Sequence, residues 1–264
     1  MQFRVDEPRF HPCSVFRQAE PQERILPLRM GTFRDKAHHI PFAREGIPYV
    51  VMAAFVTLVF AVQGWPVLAL PALAATLLIG HFFRDPDRIS EGGDGDVVSP
   101  ADGRVIVVDR LDSAPLMGGP ALRVSIFMSV FDVHVNRIPV SGIIQEVRYR
   151  KGTFVAANLP KASRENERNF VRILTDSGHQ VVMTQVAGLI ARRIVCWPRT
   201  GDRVVQGERF GMIRFGSRMD VFVPLESEVL VAVGQHVYGG ETCLLYTSDA
   251  ADDLLCVDLG GRRI

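Results

Sequence analysis

The feature that most restricts how this chain can fold is a stretch without any charged side chain, from Gly46 to Gly80. Residues 49–62 and 67–79 are predominantly apolar, and a Gln-Gly-Trp-Pro turn signal separates them at positions 63–66. A membrane-spanning helix needs about 20 apolar residues, so each half is short for one span. The pattern predicts a tight or re-entrant helical hairpin, or two short spans in a locally thin bilayer. A buried hairpin of a soluble protein is the remaining alternative.

Basic residues flank this stretch on both sides. They are Arg34, Lys36 and Arg44 before it and Arg84 and Arg88 after it. Positively charged flanks are retained on the cytoplasmic side of a membrane, so both ends are expected there. We therefore expect residues 41–88 to form a hairpin that enters and leaves on one face. Such a hairpin would anchor the chain at the cytoplasmic face of the cell membrane.

The two ends of the chain differ in composition from what lies between them. Residues 1–40 are polar and rich in Arg, Pro and Gln, which predicts a flexible leader, with Met30 as an alternative start. The first 20 residues hold no apolar segment of a secretory signal. Residues 243–264 resemble a conceptual translation of sequencing-adapter DNA, so we expect a non-native tail without a function there.

The net charge and the cysteines argue against several classes of protein. A net charge of +1 over 264 residues produces no global basic field, so nucleic acid is not an expected partner. Cys13, Cys196, Cys243 and Cys256 follow no metal-ligand spacing and are too sparse for a disulfide framework. We therefore expect neither a metal site nor disulfide bonds.

Residues 89–242 show a different pattern, in which short runs of β-branched residues alternate with Gly, Pro and Asp. Such spacing is typical of an all-β domain, and helical periodicity is weak. Together with the apolar hairpin, this predicts a mainly β chain of the α+β class. Residues 89–242 would form one sandwich-like catalytic or binding domain.

Two segments of this domain share the form G-x-x-V-x-x-G-E, at residues 201–208 and 234–241. Each resembles the turn-and-strand unit of biotinyl and lipoyl domains, in which both glycines serve tight turns. The pair predicts two related β-units that build one sandwich around the segment between them.

Gly216 and Ser217 lie between two β-runs that leave no room for a long loop. A serine hydroxyl in a strained turn can attack the preceding carbonyl carbon, and glycine adopts backbone angles closed to other residues. The resulting ester can break by β-elimination to leave dehydroalanine, which hydrolyses to a pyruvoyl group. Taken alone, a Gly-Ser pair is more often a bulge in a strand, so other motifs must decide.

Three such motifs precede the pair in order. They are F-F-R-D-P-D-R at 82–88, S-P-A-D-G-R-V at 99–105 and F-M-S-V-F-D-V-H-V-N-R-I-P-V-S-G at 127–142. With F-G-S at 215–217, they resemble the short bacterial type of the phosphatidylserine decarboxylase family, over roughly residues 40–242. The resemblance implies self-cleavage between Gly216 and Ser217, into chains of 216 and 48 residues. These chains would stay together as a heterodimer, with a higher oligomer left open.

The resemblance also implies the chemistry of the site. Ser217 matches the serine that becomes a covalent pyruvoyl cofactor, whose carbonyl forms a Schiff base with the amine of phosphatidylserine. This group withdraws electrons as carbon dioxide leaves, and phosphatidylethanolamine results. The membrane that holds this lipid is the expected partner.

Other residues are assigned supporting roles by the same resemblance. His134 matches a histidine near the reacting centre and is suited to proton transfer near neutral pH. Asp102 matches an aspartate that orients a histidine in longer members, although Asp before Gly is also an ordinary turn. Asp132 is a second candidate for that role. Longer members have a second histidine where this chain has Arg137, so either His134 serves both reactions or the short type arranges its base differently.

Three basic residues are candidates for binding the lipid phosphate or an anionic membrane surface. They are Arg137, Arg150 and Lys151. A solvated strand face explains each of them separately at least as well.

Other functions remain open at this point. A membrane-tethered lipoyl-like adaptor would share the hairpin and the two glycine-rich units, but residues 207–234 hold no lysine for a carrier group. A decarboxylase of a related seryl lipid, such as archaetidylserine, or of a soluble amino acid would use the same chemistry. The hairpin favours a lipid substrate without choosing its backbone.

Overall fold

The computed structural model describes residues 41–93, 95–153, 155, 157, 165–188, 193–214 and 216–247. The helical elements are η1 (Arg44–Gly46), α1 (Ile47–Val62) and α2 (Pro66–Phe82). The strands are β1 (Asp96–Val98), β2 (Gly103–Leu111), β3 (Ala121–Met128), β4 (Val135–Arg137), β5 (Gly142–Arg150), β6 (Arg168–Thr175), β7 (Gln180–Val186), β8 (Ile194–Cys196), β9 (Arg203–Val204), β10 (Arg209–Ile213), β11 (Ser217–Val223), β12 (Glu228–Val229), β13 (His236–Val237) and β14 (Cys243–Tyr246). The predicted mainly β chain of the α+β class, with an apolar helical hairpin before the β-domain, is confirmed.

The apolar stretch folds into two helices that pack against each other. The hydroxyl oxygens of Thr57 and Thr76 lie 2.9 Å apart across the helix pair, and each also lies within 2.9 Å of a carbonyl oxygen one turn earlier. Because a hydroxyl has a single proton, one threonine donates across the pair while the other donates back along its own helix. No side chain of α1 is buried, and Phe82 is the buried residue of α2. The β-domain therefore leaves the apolar surface of the hairpin uncovered.

The largest sheet has the strand order β13-β2-β3-β11-β7-β6-β5-β9, with antiparallel pairs throughout. Its two halves correspond. Each has a two-residue edge strand (β13 or β9), a nine-residue strand that begins at a glycine (β2 or β5), the next strand along the chain (β3 or β6) and a central strand (β11 or β7). An approximate twofold axis thus passes between β11 and β7. The strand that begins at Ser217 lies at the centre of the sheet.

The two G-x-x-V-x-x-G-E segments supply the edges of this sheet. Their valines, Val204 on β9 and Val237 on β13, are fully buried. Their second glycines, Gly207 and Gly240, have φ angles of 79° and 81°. A Cβ at Gly240 would lie only 3.7 Å from the Cα of Gly207, so the two turns meet. The predicted pair of related β-units is therefore confirmed.

Two smaller sheets complete the domain, with the orders β4-β10-β8 and β1-β14-β12. All three sheets contribute to one main core, which includes Val97 from β1, Ile126 from β3 and Phe210 from β10. These three side chains are fully buried. Each contributes about 1.5–3 kcal/mol of stability through burial. The core thus holds the three sheets together as one domain.

A second apolar cluster joins the hairpin to the β-domain. Phe82 and Phe83, at the end of α2, pack in this cluster with Val133 and Val135. The two valines flank His134. The base of the hairpin therefore packs directly on the segment that carries a candidate catalytic residue.

Charged residues of the F-F-R-D-P-D-R motif hold the same junction. Arg88 forms a two-point ion pair with Asp102, with 2.7 Å between Nη2 and Oδ2. Asp85 accepts a hydrogen bond from Arg209 Nε at 2.9 Å and lies 3.6 Å from Arg137 Nη2. All five side chains are largely buried, so removal of one partner would leave an uncompensated charge.

The last strand, β14, lies just after residue 242, where the sequence predicted the end of the β-domain. It pairs with β1 and β12, and Leu244 and Leu245 are fully buried. Thr247 donates its N–H to the Gly95 carbonyl oxygen at 2.8 Å. Residues 243–247 therefore belong to the β-domain, which corrects its predicted end at residue 242. The predicted leader, residues 1–40, and the rest of the predicted tail, residues 248–264, lie outside the described residues.

Candidate active site

The turn that contains Gly216 connects two sheets. β10 belongs to the sheet β4-β10-β8, while β11, which begins at Ser217, lies in the centre of the large sheet. Gly216 has a φ of 62°, in the left-handed region that favours glycine. A Cβ added there would meet nothing within 4 Å. Glycine is therefore favoured at this position by the backbone conformation and not by a lack of space.

The strand registers bring Ser217 to the segment that carries His134. Ser217 is paired with Met128 at the end of β3, and Met212 on β10 is paired with Val135, directly after His134. The chain therefore crosses from β10 to β11 opposite the loop between β3 and β4. Ser217 and His134 lie at the same edge of the domain as a result.

The Ser217 hydroxyl is fully buried. Its Oγ lies 3.9 Å from the sulfur of Met128, and Nδ2 of Asn136 approaches the same sulfur at 3.7 Å. A thioether sulfur is a weak acceptor. The hydroxyl proton is thus not held by a strong hydrogen bond, which leaves the oxygen available for attack on a neighbouring carbon.

His134 is fully buried and packs against Phe82, with 4.3 Å between the ring centroids. Its Nδ1 lies 2.9 Å from the backbone carbonyl oxygen of Asp132, so Nδ1 carries the proton and donates it. Nε2 is buried without a hydrogen-bond partner among the described residues. Burial lowers the pKa of His134 to about 4, against the opposing effect of the Asp132 carbonyl. The ring is therefore neutral at physiological pH and has a free lone pair on Nε2.

Asp132 serves both histidines of this region. Its Oδ2 accepts a hydrogen bond from the Ser129 N–H at 2.7 Å, and its Oδ1 lies 3.1 Å from Nε2 of His236. Burial raises the pKa of this carboxyl, but the hydrogen bonds from Ser129 and His236 outweigh burial, so the pKa is lowered overall. The carboxylate supports His236, whereas the backbone carbonyl supports His134.

Asp102 has other partners than a histidine. Both carboxylate oxygens are bound by Arg88, and Oδ1 also accepts the Gly239 N–H at 2.8 Å. The structure thus places Asp102 at the junction between the hairpin and the β-domain, in a turn before Gly103. Among the described residues, Asp102 forms no hydrogen bond to a histidine, which a charge relay requires.

The three candidate phosphate-binding residues occupy different places. Arg137 is buried, and its guanidinium donates to the carbonyl oxygens of Gly207 and Pro86 at 2.9 and 2.8 Å. Arg150 and Lys151 are exposed at the end of β5. Strand pairing places β5 three strand spacings, or about 14 Å, from β11. The structure therefore does not bring the three residues together, and it uses Arg137 to hold the junction.

Two residues that the sequence patterns did not select lie at this site. His236 contacts Asp132, and Arg214, at the start of the turn, donates from Nη1 to the Tyr49 hydroxyl at 2.8 Å. His236 occupies the position in the second glycine-rich unit that Arg203 occupies in the first. This difference between the two units is the only signal for it in the sequence. No sequence pattern connects Arg214 with a tyrosine in α1, since the contact is purely tertiary.

The described parts of the chain contain no cluster of three or more His, Cys, Asp or Glu side chains that could hold a metal ion. Burial raises the pKa of the Cys196 thiol to about 11, so this thiol is protonated at neutral pH. The nucleophile that the geometry offers is Ser217, with a left-handed glycine before it and a neutral histidine in the facing loop. These are the parts that a self-processing enzyme requires.

Comparison with known proteins identifies the family. The phosphatidylserine decarboxylase family matches residues 75–245. The phosphatidylserine decarboxylase proenzyme of Syntrophus aciditrophicus is 49% identical over 210 residues, which cover 78% of this chain and 98% of that protein. Those of Solidesulfovibrio magneticus and Nitrosomonas europaea are each 48% identical, and the match covers 78% of this chain and 96% and 95% of theirs. The chain belongs to the phosphatidylserine decarboxylase family.

Proposed function

We propose that the chain is a proenzyme that cleaves itself between Gly216 and Ser217 and then converts phosphatidylserine to phosphatidylethanolamine and carbon dioxide. The observation that carries the proposal is the buried Ser217 hydroxyl after a left-handed Gly216, opposite the loop of His134. The names of the relatives, phosphatidylserine decarboxylase proenzyme, support both the reaction and the processing step.

Self-cleavage begins at Ser217. Its Oγ attacks the carbonyl carbon of Gly216, the peptide C–N bond breaks, and an ester joins the two parts of the chain. His134 Nε2 takes the hydroxyl proton, because burial keeps this nitrogen unprotonated, and the proton passes to the amine nitrogen of residue 217 as the C–N bond breaks. β-Elimination then removes the Cα proton of residue 217, forms a double bond between its Cα and Cβ, breaks the bond between Cβ and the ester oxygen and releases the Gly216 carboxylate. Addition of water and loss of ammonia convert residue 217 to a pyruvoyl group.

The proposed cofactor is therefore this pyruvoyl group, derived from Ser217. When formed, it supplies a carbonyl that condenses with the substrate amine and draws electrons from the substrate as carbon dioxide leaves. The surroundings of Ser217 fit such a group. Ser217 is fully buried, which keeps bulk water away from the group once it has formed, and a Cβ at Gly216 would meet nothing within 4 Å, so there is space beside the turn.

His134 is also the proposed proton donor to the substrate Cα after carbon dioxide leaves. Nε2 is unprotonated at neutral pH, so it would first take a proton that the substrate ammonium releases when it condenses with the carbonyl. With a pKa of about 4, His134 then gives this proton readily to Cα. The carbonyl oxygen of Asp132 holds Nδ1–H, so Nε2 is the atom that exchanges protons. One histidine can thus serve both reactions, in place of the second histidine of longer members.

We expect the two chains to remain together after cleavage. The smaller chain would contribute β11, which pairs with β3 over seven residues and with β7 over five. Met219 and Val221 on this strand are fully buried in the main core. Separation of the chains would expose the centre of the fold, so a heterodimer is the expected product.

The proposed location is the cytoplasmic face of the cell membrane. The helical segment from Arg44 to Val62 is long and apolar enough to cross a bilayer, and α2 is a shorter apolar helix. At about 1.5 Å per residue, the 17 residues of α2 span about 26 Å, against about 30 Å for a hydrocarbon core. Exposed apolar side chains on both helices, with Arg44 and Arg84 at the base, support a hairpin that enters and leaves on one side.

Two alternatives can be weighed against this proposal. An adaptor without catalysis is not favoured, because the family match includes the segment with Ser217. Archaetidylserine presents the same seryl amine and carboxylate as phosphatidylserine. An assay of the two lipids side by side separates them, and we expect phosphatidylserine to be the better substrate.

The test compares wild type, Ser217→Ala and a matched control, Ser177→Ala, whose hydroxyl lies in an exposed turn. On a denaturing gel and by intact mass, wild type and Ser177→Ala should show two fragments, the smaller one blocked by a pyruvoyl group. Ser217→Ala should stay whole. Only the cleaved proteins should release carbon dioxide from phosphatidylserine vesicles. A folded wild type that stays whole would refute the proposal.

A further inference from the structure

The phosphate of the proposed substrate needs a cation near Ser217, and several arginines in this region are already paired. Arg88 is held by Asp102, and Arg218 lies 2.5 Å from Asp220. These charges are neutralised inside the fold. They are not available to a substrate anion unless a buried ion pair breaks, at a high cost in stability.

Arg214 differs from these arginines. Among the described residues, its one hydrogen bond goes from Nη1 to the Tyr49 hydroxyl, and its guanidinium carbon lies 5.3 Å from the Tyr49 ring centroid. Its Nε is buried without a hydrogen-bond partner. Glu45, one turn before Tyr49, accepts from Trp197 Nε1 and forms no ion pair with Arg214. A partly buried guanidinium with an unpaired N–H and no carboxylate partner lacks an anion.

The position of Arg214 suits the headgroup of a lipid. It lies three residues before Ser217, in the turn that would be cleaved. The preceding residue, Ile213, donates its N–H to the carbonyl oxygen of His134 at 3.4 Å. Tyr49, on which Arg214 stacks, lies in the first turn of α1, at the base of the proposed membrane hairpin. A headgroup that leaves the bilayer surface at this base would meet Arg214 on its way to Ser217.

We propose that Arg214 binds the phosphodiester of the substrate headgroup and thereby places the serine amine against residue 217. In this headgroup, only Cα, Cβ and the ester oxygen separate the amine from phosphorus, so a cation that binds the phosphate must lie close to the residue that meets the amine. A guanidinium can donate to two phosphate oxygens at once. The inference rests on the proposed function and adds a specificity-determining residue, which selects phosphodiesters of serine over serine ethers without a phosphate.

The test uses the full chain after self-cleavage and two soluble substrates with the same amine and carboxylate. Glycerophosphoserine carries the phosphodiester, and O-methylserine lacks it. For glycerophosphoserine, Arg214→Gln should lower kcat/KM by about tenfold or more, mainly through KM, as loss of a charge-assisted hydrogen bond implies. For O-methylserine, the kcat/KM of Arg214→Gln should differ from that of wild type by less than about twofold. The matched control, Arg110→Gln, at the exposed far end of β2, should match wild type with both substrates.

Several outcomes would overturn the inference. If Arg214→Gln lowers kcat/KM equally for both substrates, the role of Arg214 is structural. If it lowers kcat/KM for neither, Arg214 does not bind the substrate phosphate. A loss with phosphatidylserine vesicles but not with glycerophosphoserine would assign Arg214 to the phosphates of neighbouring bilayer lipids. Absence of cleavage in wild type, or of carbon dioxide release from phosphatidylserine vesicles, would count against the proposed function and not against Arg214 in particular.

A second variant covers the case in which Arg214→Gln does not cleave itself. Arg214→Lys keeps the charge but loses the two-point geometry, so its KM for glycerophosphoserine should rise by about threefold with kcat nearly unchanged. A KM equal to that of wild type in cleaved Arg214→Lys would overturn the inference in that case.

Discussion

Nε2 of His236 lies 3.1 Å from Oδ1 of Asp132, while the backbone carbonyl of the same aspartate accepts the Nδ1–H of His134 at 2.9 Å. The Ser129 N–H closes this turn with a 2.7 Å hydrogen bond to Oδ2. His236 is 42% exposed at its side chain, whereas His134 is fully buried. An outer histidine therefore fixes the turn that orients the inner one.

Replacement of His236 tests this arrangement. His236→Phe keeps a ring beside Tyr238 but removes the hydrogen bond to Asp132. One such bond contributes about 1 kcal/mol, so self-cleavage and decarboxylation should slow by about fivefold. Time courses on gels and carbon dioxide release measure the two rates, with Tyr238→Phe as the control. A loss as complete as that expected for His134→Gln would instead mean that His236 acts on the reacting atoms.

The pH dependence of self-cleavage should report the environment of His134. Burial lowers its pKa to about 4, and the base must be unprotonated to take the Ser217 proton. The rate should be constant from about pH 8 to 5 and fall with a midpoint of about 4, whereas a solvated histidine would give about 6.5. Precursor made by in vitro translation can be incubated in graded buffers and followed on gels. A midpoint near the solvated value would contradict the burial of this ring during the reaction.

The same shift predicts a loss of stability in acid. The pKa of His134 is lower in the folded state than in the unfolded state, so the unfolded state binds more protons between about pH 4 and 6.5. The contribution of His134 is therefore fully present above about pH 6.5 and is lost as the pH falls towards 4, by on the order of 3 kcal/mol. Urea unfolding of uncleaved Ser217→Ala, with and without His134→Gln, measures it. If the free energy of unfolding has the same pH dependence in the two proteins, His134 makes no such contribution.

Some features of the fold and the site follow from the sequence because their signals are local. A charge-free run with a turn in its middle predicts a helical hairpin by itself. The two glycine-rich units predict related edges, because each contains its own turn and its own buried valine. Gly216 and Ser217 stand out because ordered motifs accompany them. His134 stands out for the same reason, and its burial keeps the ring neutral at physiological pH, as its proposed role of base requires.

Other features depend on contacts that no local pattern contains. The sequence predicts equally well that Asp102 is a charge-relay residue or a turn residue. The structure shows that Arg88, 14 positions earlier, binds both of its carboxylate oxygens. Arg137 reads as a phosphate ligand, but Pro86 and Gly207 supply it with carbonyl partners and bury it. Such pairings arise only when the hairpin docks on the β-domain, so tertiary structure decides them.

We expect the ion pair between Arg88 and Asp102 to stabilise the fold and not to take part in the reaction. Asp102→Asn leaves Arg88 buried without its counter-charge, and loss of one partner of a buried pair costs about 3–5 kcal/mol. Urea unfolding in the Ser217→Ala background measures this. The matched control is Asp176→Asn, in the exposed pair with Arg203, where about 1 kcal/mol or less is expected. An Asp102→Asn protein of wild-type stability that fails to cleave itself would restore the charge-relay role.

The two tryptophans allow a direct test of whether the helical hairpin enters a membrane, as proposed. Trp65 is 54% exposed at the turn between α1 and α2, while Trp197 donates to Glu45 at the base of the hairpin. If the hairpin inserts, Trp65 enters the bilayer and Trp197 stays outside it. The variant Trp197→Phe retains Trp65. In vesicles with brominated acyl chains, its fluorescence should be strongly quenched by the bromine atoms. In ordinary vesicles, it should be protected from quenching by aqueous acrylamide. Trp65→Phe, which retains Trp197, should show neither effect, and equal acrylamide quenching of Trp65 with and without vesicles would show that the hairpin stays outside the bilayer.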